Sequence, residues 1–349
     1  MHIDELDTPT AVVDLDRLDT NLTRLQVYLS EHGLANRPHV KTHKIPAIAA
    51  MQMAAGAVGL TCQKVGEAEV MAAAGFNDLF IPYNLLGQSK LDRLMALAQR
   101  ARVSVTADSA VVARGLSAAA QRAGQDLTVL VECDTGLGRC GVQTPAQAAE
   151  LAQCIAALPG LRFGGLMTYP NTAQLDDFVR ATRAALAGSG LAIERVSGGG
   201  TACMWQAHTH PELTEHRAGM YIYGDWHIVQ SGAMTLDDVA FGVLATVVSR
   251  PTPTRGILDT GSKVLSSDLL GQLGYGHIRE YPQAHIEKLS EEHGHVDFSR
   301  CPHAPEIGER VTVVPNHCCP VTNLLNEVVG VRQGQVEVTW PVAARGTVK

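Results

Sequence analysis

Leucines at 18, 22, 25 and 29 recur at helical spacing, and they predict a helix over 18–29 behind a short strand over 8–14. From there the chain alternates between short apolar runs and longer Ala- and Leu-rich amphipathic stretches. The short runs predict strands over 39–41, 58–62, 78–82, 103–107, 127–133, 163–168, 195–198 and 220–223. Between nearly all of them lie predicted helices, over 64–74, 89–102, 109–123, 145–158 and 176–187; the link from 198 to 220 is less regular. Strand–helix alternation implies βαβ units and a parallel sheet. Eight such strands is the closure number of a (β/α)8 TIM barrel, expected over 15–235. A doubly wound open sheet is the alternative. It is disfavoured because no Gly-x-Gly-x-x-Gly follows the first strand and because polar residues recur at strand ends.

Near Leu236 the pattern changes. Runs over 243–248, 256–259, 311–314, 327–331 and 335–338 read as strands joined by turns, with no helices between them. They predict a C-terminal β domain over 236–349, to which the N-terminal strand 8–14 is assigned.

Composition limits the function. A chain of 349 residues is too long for one ordinary core, and 46% hydrophobic with 18% charged residues suits a compact fold. A net charge of −7 argues against nucleic acid or an anionic membrane as partner. No apolar run reaches spanning length, and the acidic start Met1-His2-Ile3-Asp4-Glu5 has no secretory h-region, so a cytoplasmic protein is expected. The eight scattered cysteines then read as reduced thiols.

Against this acidic background, Arg37-Pro38-His39-Val40-Lys41-Thr42-His43-Lys44 stands out as a basic stretch. In a barrel the active site gathers at the C-terminal strand ends. Those ends bring together Lys41, Gln63, the loop Asp134-Thr135-Gly136-Leu137-Gly138-Arg139, Tyr169, and Ser197-Gly198-Gly199-Gly200-Thr201. The last is a candidate phosphate cradle: Gly199 and Gly200 let backbone N–H groups approach an anion, and Ser197 and Thr201 add hydroxyls. A flexible turn is the plainer reading. A lysine on strand one facing a phosphate site on strand seven suggests pyridoxal 5′-phosphate held as a Schiff base. Lys41 ends its strand, whereas the competing Lys44 abuts helix-opening Ile45-Pro46. Arg139 is placed for the cofactor's phenolic oxygen or a substrate carboxylate. Tyr169 is placed to stack on the pyridine, its plainer role being a core aromatic.

In Pro315-Asn316-His317-Cys318-Cys319-Pro320, His317 and Cys319 are two apart. On an extended strand they would share a face and form a two-ligand arm for a divalent metal, zinc first and manganese second. A buried thiol pair or a redox pair is the alternative. Glu291-Glu292-His293-Gly294-His295 offers a base in His293, or merely a solvated acidic turn.

The stretches 37–44 and 315–320 together resemble the D-serine dehydratase and D-threonine aldolase family, of the alanine-racemase-like fold type of pyridoxal phosphate enzymes. The resemblance spans almost the whole chain. It implies Lys41 as the Schiff-base lysine, Arg139 at the phenolic oxygen, Tyr169 on the ring, and Gly199, Gly200 and Thr201 around the phosphate with Gly219 and Met220 adding to it. It also implies His317 and Cys319 as metal ligands, and a homodimer in which each second domain helps build the partner's site. His-x-Cys goes with the dehydratases of that family and His-x-Asp with the aldolases. The expected enzyme is a lyase for D-3-hydroxy amino acids that eliminates water to give a 2-oxo acid and ammonia. Retro-aldol cleavage to glycine and an aldehyde, with His293 as base, is the alternative; an amino-acid racemase and a non-catalytic cofactor carrier rank below it.

Overall fold

The computed structural model describes residues 1–349. In chain order, its first half runs β1 (Thr10–Asp14), α1 (Leu15–Glu31), β2 (Ala35–Asn36), α2 (Pro46–Ala54), β3 (Leu60–Thr61), α3 (Val65–Ala73), β4 (Asp78–Asn84), α4 (Gln88–Ala98), β5 (Arg102–Ala107), α5 (Ala110–Ala123), β6 (Leu127–Cys133), α6 (Pro145–Ala157), β7 (Leu161–Thr168) and α7 (Leu175–Ala185). There follow β8 (Arg195–Gly199), β9 (Glu215–Arg217), α8 (Trp226–Gln230), β10 (Phe241–Ser249), β11 (Arg255–Leu258), α9 (Ser262–Leu265), β12 (His277–Ile278), β13 (His285–Leu289), β14 (Gly294–Asp297), β15 (Arg310–Val314), α10 (Cys318–Leu324), β16 (Glu327–Arg332) and β17 (Gln335–Pro341). The chain forms two compact units: one of residues 25–41, 48–219 and 347–349, the other of residues 1–24, 42–47 and 220–346. No helix is long and apolar enough to cross a membrane.

The first unit is the barrel. Its parallel strands run in the order β2-β9-β8-β7-β6-β5-β4-β3. The open edges, β2 and β3, meet through one parallel bridge between His39 and Thr61, made by Thr61 N–H to Pro38 O (2.8 Å) and Val40 N–H to Thr61 O (2.9 Å). The first strand therefore sits earlier than the expected 39–41. Regular pairing with β9 is confined to Ala35–Asn36, but backbone bonds run on past it: Arg37 N–H donates to His216 O at 3.0 Å and His39 N–H to Ala218 O at 2.8 Å.

The eighth strand also differs. It is Glu215–Arg217, and Met220–Ile222 form a 3₁₀ turn instead of the expected strand 220–223. Tyr221, Ile222 and Tyr223 are fully buried, and a short buried apolar run has no period that tells strand from turn. Glu-His-Arg reads as surface in sequence, yet all three are buried. The predicted helix 89–102 ends at Ala98, leaving Arg102 to open β5.

Pairing of charge explains the burial. Asp78, Arg102, Arg195 and Glu215 are each the first residue of a strand, so they lie at the N-terminal face. Arg37, just past β2, reaches Asp78 at 2.7 Å and Glu215 at 2.9 Å. Ser197 donates to Glu215 at 2.6 Å, and Arg102 pairs with Asp78. Further along the bore Phe80, Leu130 and Met167 form an apolar cluster. Gly165 is obligatory in β7: φ is +125°, and a Cβ would stand 1.9 Å from Arg195 O.

In the second unit the main strand path is β13-β14-β11-β10-β1-β16-β17, with β15 on β10 and β12 on β15. β1 pairs antiparallel with β10 and parallel with β16, so the N-terminal strand is central to this sheet. Val12, Leu244, Val329 and Val331 form a core cluster there. Strands β12, β13 and β14 are additional to those expected. All three are short and lack the apolar runs that mark strands in sequence: β12 is two buried residues, and β13 and β14 mix buried with more exposed positions.

Burying ions in a barrel is tolerable only while they are paired. Replacing Glu215 by Ala leaves Arg37 short of a partner and should cost about 3–5 kcal/mol of folding stability in urea titration. A loss under about 1 kcal/mol would mean the network is solvated and weak.

Candidate active site

A small cavity at the C-terminal strand ends is lined by His39, Lys41, Gln63, Pro82, Arg139, Met167, Tyr169 and Arg217. Four of the sequence-predicted residues, Lys41, Gln63, Arg139 and Tyr169, thus come together. Lys41 Nζ lies 5.9 Å from the Tyr169 ring centroid, and the Arg139 guanidinium carbon 5.2 Å from it. Lys44 is elsewhere: it is buried in the second unit and donates to Ala344 O at 3.4 Å.

His39 supports Lys41. Its Nδ1 accepts the Lys41 N–H at 3.4 Å, so Nε2 carries the proton and donates to Gln63 Oε1 at 2.9 Å. Burial, with the Lys41 and Arg217 charges nearby, holds its pKa well below the ordinary value. His39 is therefore a neutral bracket. His43, fully buried, caps its own turn by accepting Ile45 N–H at 3.1 Å.

Arg139 stands on a loop fixed by Asp134, whose carboxylate accepts the N–H groups of Gly136 (2.9 Å), Leu137 (2.9 Å) and Gly138 (3.0 Å). Two residues of this region had no role in the sequence reading. Arg217 is buried in the cavity wall, donates to Thr168 O at 3.0 Å and to Ser197 Oγ, and has its pKa lowered to about 10 by burial. Glu132 lines an adjoining cavity of about 310 Å³ that shares Gln63, Pro82 and Arg139 with the first. Burial raises its carboxyl to about 7, against the pull of Arg139. Glu132 lies at the end of a predicted strand, whereas Arg217 lies on a strand absent from the prediction, and only burial distinguishes either from its neighbours.

At the end of β8 the glycine run forms a cradle. Gly199 N–H is held by Asn171 Oδ1 at 2.7 Å, and Gly200 N–H by Arg217 O at 3.2 Å. A Cβ on Gly199 would stand 2.5 Å from Arg217 O, and Gly200 has φ +120°. Beside them Thr201 Oγ1 is buried with no hydrogen-bond partner. A buried unpaired hydroxyl carries a desolvation penalty that a bound anion removes, so with both glycine N–H groups committed it is Thr201 that fits the phosphate of pyridoxal phosphate, the glycines leaving room for its approach. Ser197 does not serve that purpose: its hydroxyl is fully buried and committed to Glu215 and Arg217. Gly219 closes the barrel unit, and Met220 opens the 3₁₀ turn of the other.

In the second unit, His317 and Cys319 do not lie on a strand. His317 is the extended N-cap of α10, and Cys319 is in its first turn. Asp225, buried, starts that helix by accepting Cys318 N–H at 3.0 Å. The two side chains still meet, through a hydrogen bond. Asp268 Oδ2 accepts from His317 Nδ1 at 2.7 Å, and Thr42 Oγ1 lies 3.3 Å from Cys319 Sγ. Burial would lower the His317 pKa, but Cys319, Asp268 and Asp225 outweigh it and raise it to about 9. No third His, Cys, Asp or Glu completes a metal cluster. An imidazole and a thiol, with a carboxylate behind the imidazole, suit a borderline divalent ion with open positions. Cys318 is buried with its thiol pushed well up, which argues against a vicinal redox pair. His293 is exposed in the turn between β13 and β14, beside Glu291 and Glu292, which pair with Lys263.

The alanine racemase N-terminal domain family matches residues 13–226, and a serine dehydratase domain matches residues 240–331. The chain belongs to the alanine-racemase-like family of pyridoxal phosphate enzymes. Within that family it is 37% identical to a D-threonine aldolase of Arthrobacter sp., over 98% of this chain and 93% of that one. The crystal structure of D-threonine aldolase from Filomicrobium marinum superposes with a TM-score of 0.91 at 36% identity, covering 99% of this chain and 97% of that one. D-threo-3-hydroxyaspartate dehydratase from Delftia sp. HT23 gives 0.86 at 30%, covering 97% and 98%. In a dehydratase of that name a histidine and a cysteine two positions apart have each been replaced by alanine, the cysteine variant being in a metal-free form.

Because folding raises the Glu132 pKa from its ordinary 4.5 to about 7, the folded state holds a proton there that the unfolded chain has lost. Stability of the cofactor-free protein should therefore fall as pH rises from about 4.5 to about 7 and then level off, at up to about 1.4 kcal/mol per pH unit from this group. Glu132→Gln should remove that slope in parallel melts; an unchanged slope would place the titration elsewhere.

Proposed function

We propose that the protein is a pyridoxal phosphate- and metal-dependent lyase that removes water from D-3-hydroxy amino acids, giving a 2-oxo acid and ammonia. The observation that carries this reading is the pairing of His317 with Cys319, at the same spacing as the histidine and cysteine altered in the dehydratase. Pyridoxal phosphate on Lys41 supplies an electron sink for charge developing at the substrate α-carbon. A divalent ion on His317 and Cys319 supplies Lewis-acid polarisation of the β-hydroxyl, and the thiolate favours zinc over harder ions.

The remaining work falls to the side chains. Lys41 Nζ takes the α-proton, its backbone steadied by His39. Arg139 binds the carboxylate or the cofactor's phenolic oxygen, and the Asp134 clamp keeps it from swinging away. Tyr169 packs on the ring. Thr201 holds the phosphate, Gly199 and Gly200 give it close approach, and Gly219 and Met220 belong to the same site. Arg217, held by Ser197 and Thr168 O, keeps a fixed positive charge in the cavity wall. Within the second unit, Thr42 Oγ1 touches Cys319 Sγ at 3.3 Å and so steadies the thiol. Eight free cysteines accord with a reducing, cytoplasmic setting, and a homodimer is the assembly we infer.

A second reading is favoured by a specific observation: the D-threonine aldolases match at 36–37% identity, above the dehydratase at 30–31%. In it the same groups cleave Cα–Cβ to glycine and an aldehyde, with His293 as base for the hydroxyl proton.

Purified protein incubated with D-threo-3-hydroxyaspartate, D-serine and D-threonine should release 2-oxo acid and ammonia in equal amounts, and lose that activity when stripped by chelator. Glycine without 2-oxo acid selects the aldolase. Turnover that survives chelation removes the metal from the scheme, and inversion to the L-enantiomer alone selects a racemase.

A further inference from the structure

The loop from Ser266 to Gly276 carries a residue with no assigned role, Asp268. Its two carboxylate oxygens are divided between two tasks. Oδ1 accepts the Leu270 N–H at 3.1 Å and so closes the loop's own turn, while Oδ2 accepts from His317 Nδ1 at 2.7 Å. Asp268 N–H in turn donates to Ser266 Oγ at 3.1 Å. Two non-glycine residues flanking it, Ser266 and Leu270, have φ of +67° and +46°, a left-handed backbone that such residues adopt only when their surroundings impose it. The far end of the loop is fastened to the same segment that bears His317: Asn316 Nδ2 donates to Gly274 O at 2.7 Å. The loop is thus tied to residues 316–317 at two points, and the carboxylate faces the imidazole by construction.

An acceptor on Nδ1 has a defined consequence. Nδ1 must carry the proton, so in the neutral ring the lone pair is on Nε2, the only nitrogen left to bind a cation. We propose that Asp268 is a positioning residue, fixing the His317 tautomer and ring plane for metal binding. This rests on the reading that His317 and Cys319 hold the ion. The isosteric change Asp268→Asn separates positioning from loop support. The amide oxygen can keep the Leu270 bond, which turns an NH₂ toward Nδ1. Nδ1 then becomes the acceptor, and the lone pair on Nε2 is lost to a proton.

The test uses the cofactor-loaded protein stripped of metal. Zn²⁺ affinity is measured by competition with a chromophoric chelator, and thiolate-to-metal charge transfer by adding Co²⁺. Asp268→Asn should weaken Zn²⁺ binding roughly 10–100-fold and dim the Co²⁺ band, with the melting point of the metal-free protein and the cofactor absorption unchanged. Asp268→Glu should recover part of the affinity. Parent-like Zn²⁺ affinity in Asp268→Asn overturns the proposal but leaves the metal pair intact, which His317→Ala checks separately. Absence of Zn²⁺ binding by the parent overturns both. If Asp268→Asn also melts early, Asp268→Glu decides: parent-like stability with weakened Zn²⁺ supports positioning, and early melting with unweakened Zn²⁺ makes Asp268 a loop residue only.

Discussion

The barrel closes on a seam between two short strands, and Lys41 sits two residues past the His39–Thr61 bridge that joins them. On one side Ala35, Arg37 and His39 donate their N–H groups to Thr214, His216 and Ala218; on the other, Asn36 and Pro38 accept from Val58 and Thr61, and Val40 donates to Thr61. Arg37 reinforces it with charge. Its guanidinium ties the seam to β4 through the partly buried Asp78 and to β9 through the buried Glu215, both within hydrogen-bonding distance. In a low-dielectric interior such a bridge has a strong geometric preference, because losing either partner strands a charge. The position of Lys41 is therefore set at the opposite end of the strands from the site it serves.

The site face is arranged differently. Lys41, Arg139 and Arg217 line one small cavity, and Glu132, which lines the adjoining cavity with Arg139, is raised to about 7 by burial. This local excess of positive charge in a chain of net charge −7 suits an anionic cofactor and a substrate with at least one carboxylate. The Thr201 hydroxyl, buried with no hydrogen-bond partner, is a group that a bound anion would satisfy.

Much of this was legible in the sequence, and the failures have physical causes. α1 was clear because four leucines at helical spacing are all buried. The strand-end positions of Lys41, Arg139 and Tyr169 followed from strand–helix alternation. Glu215-His216-Arg217 was not legible as a strand, because its burial depends on partners far away in sequence, at 37 and 197. The same holds for Ser197, whose hydroxyl fits a phosphate loop until Glu215 and Arg217 are seen to claim it. The pairing of His317 with Cys319 was legible, but its backbone was not. A buried carboxylate at Asp225 starts a helix where the two-residue spacing was read as an extended strand, and the two side chains meet across a helix cap.

The central claim is that Lys41 is the residue to which pyridoxal phosphate is joined. Reduction of the cofactor-loaded protein with borohydride, then peptide mapping by mass spectrometry, tests it most directly. The account predicts a pyridoxyl group on the peptide containing Lys41 and none on the Lys41→Ala protein. Labelling at Lys44 or another lysine, or no label on a protein that still turns over substrate, would contradict it.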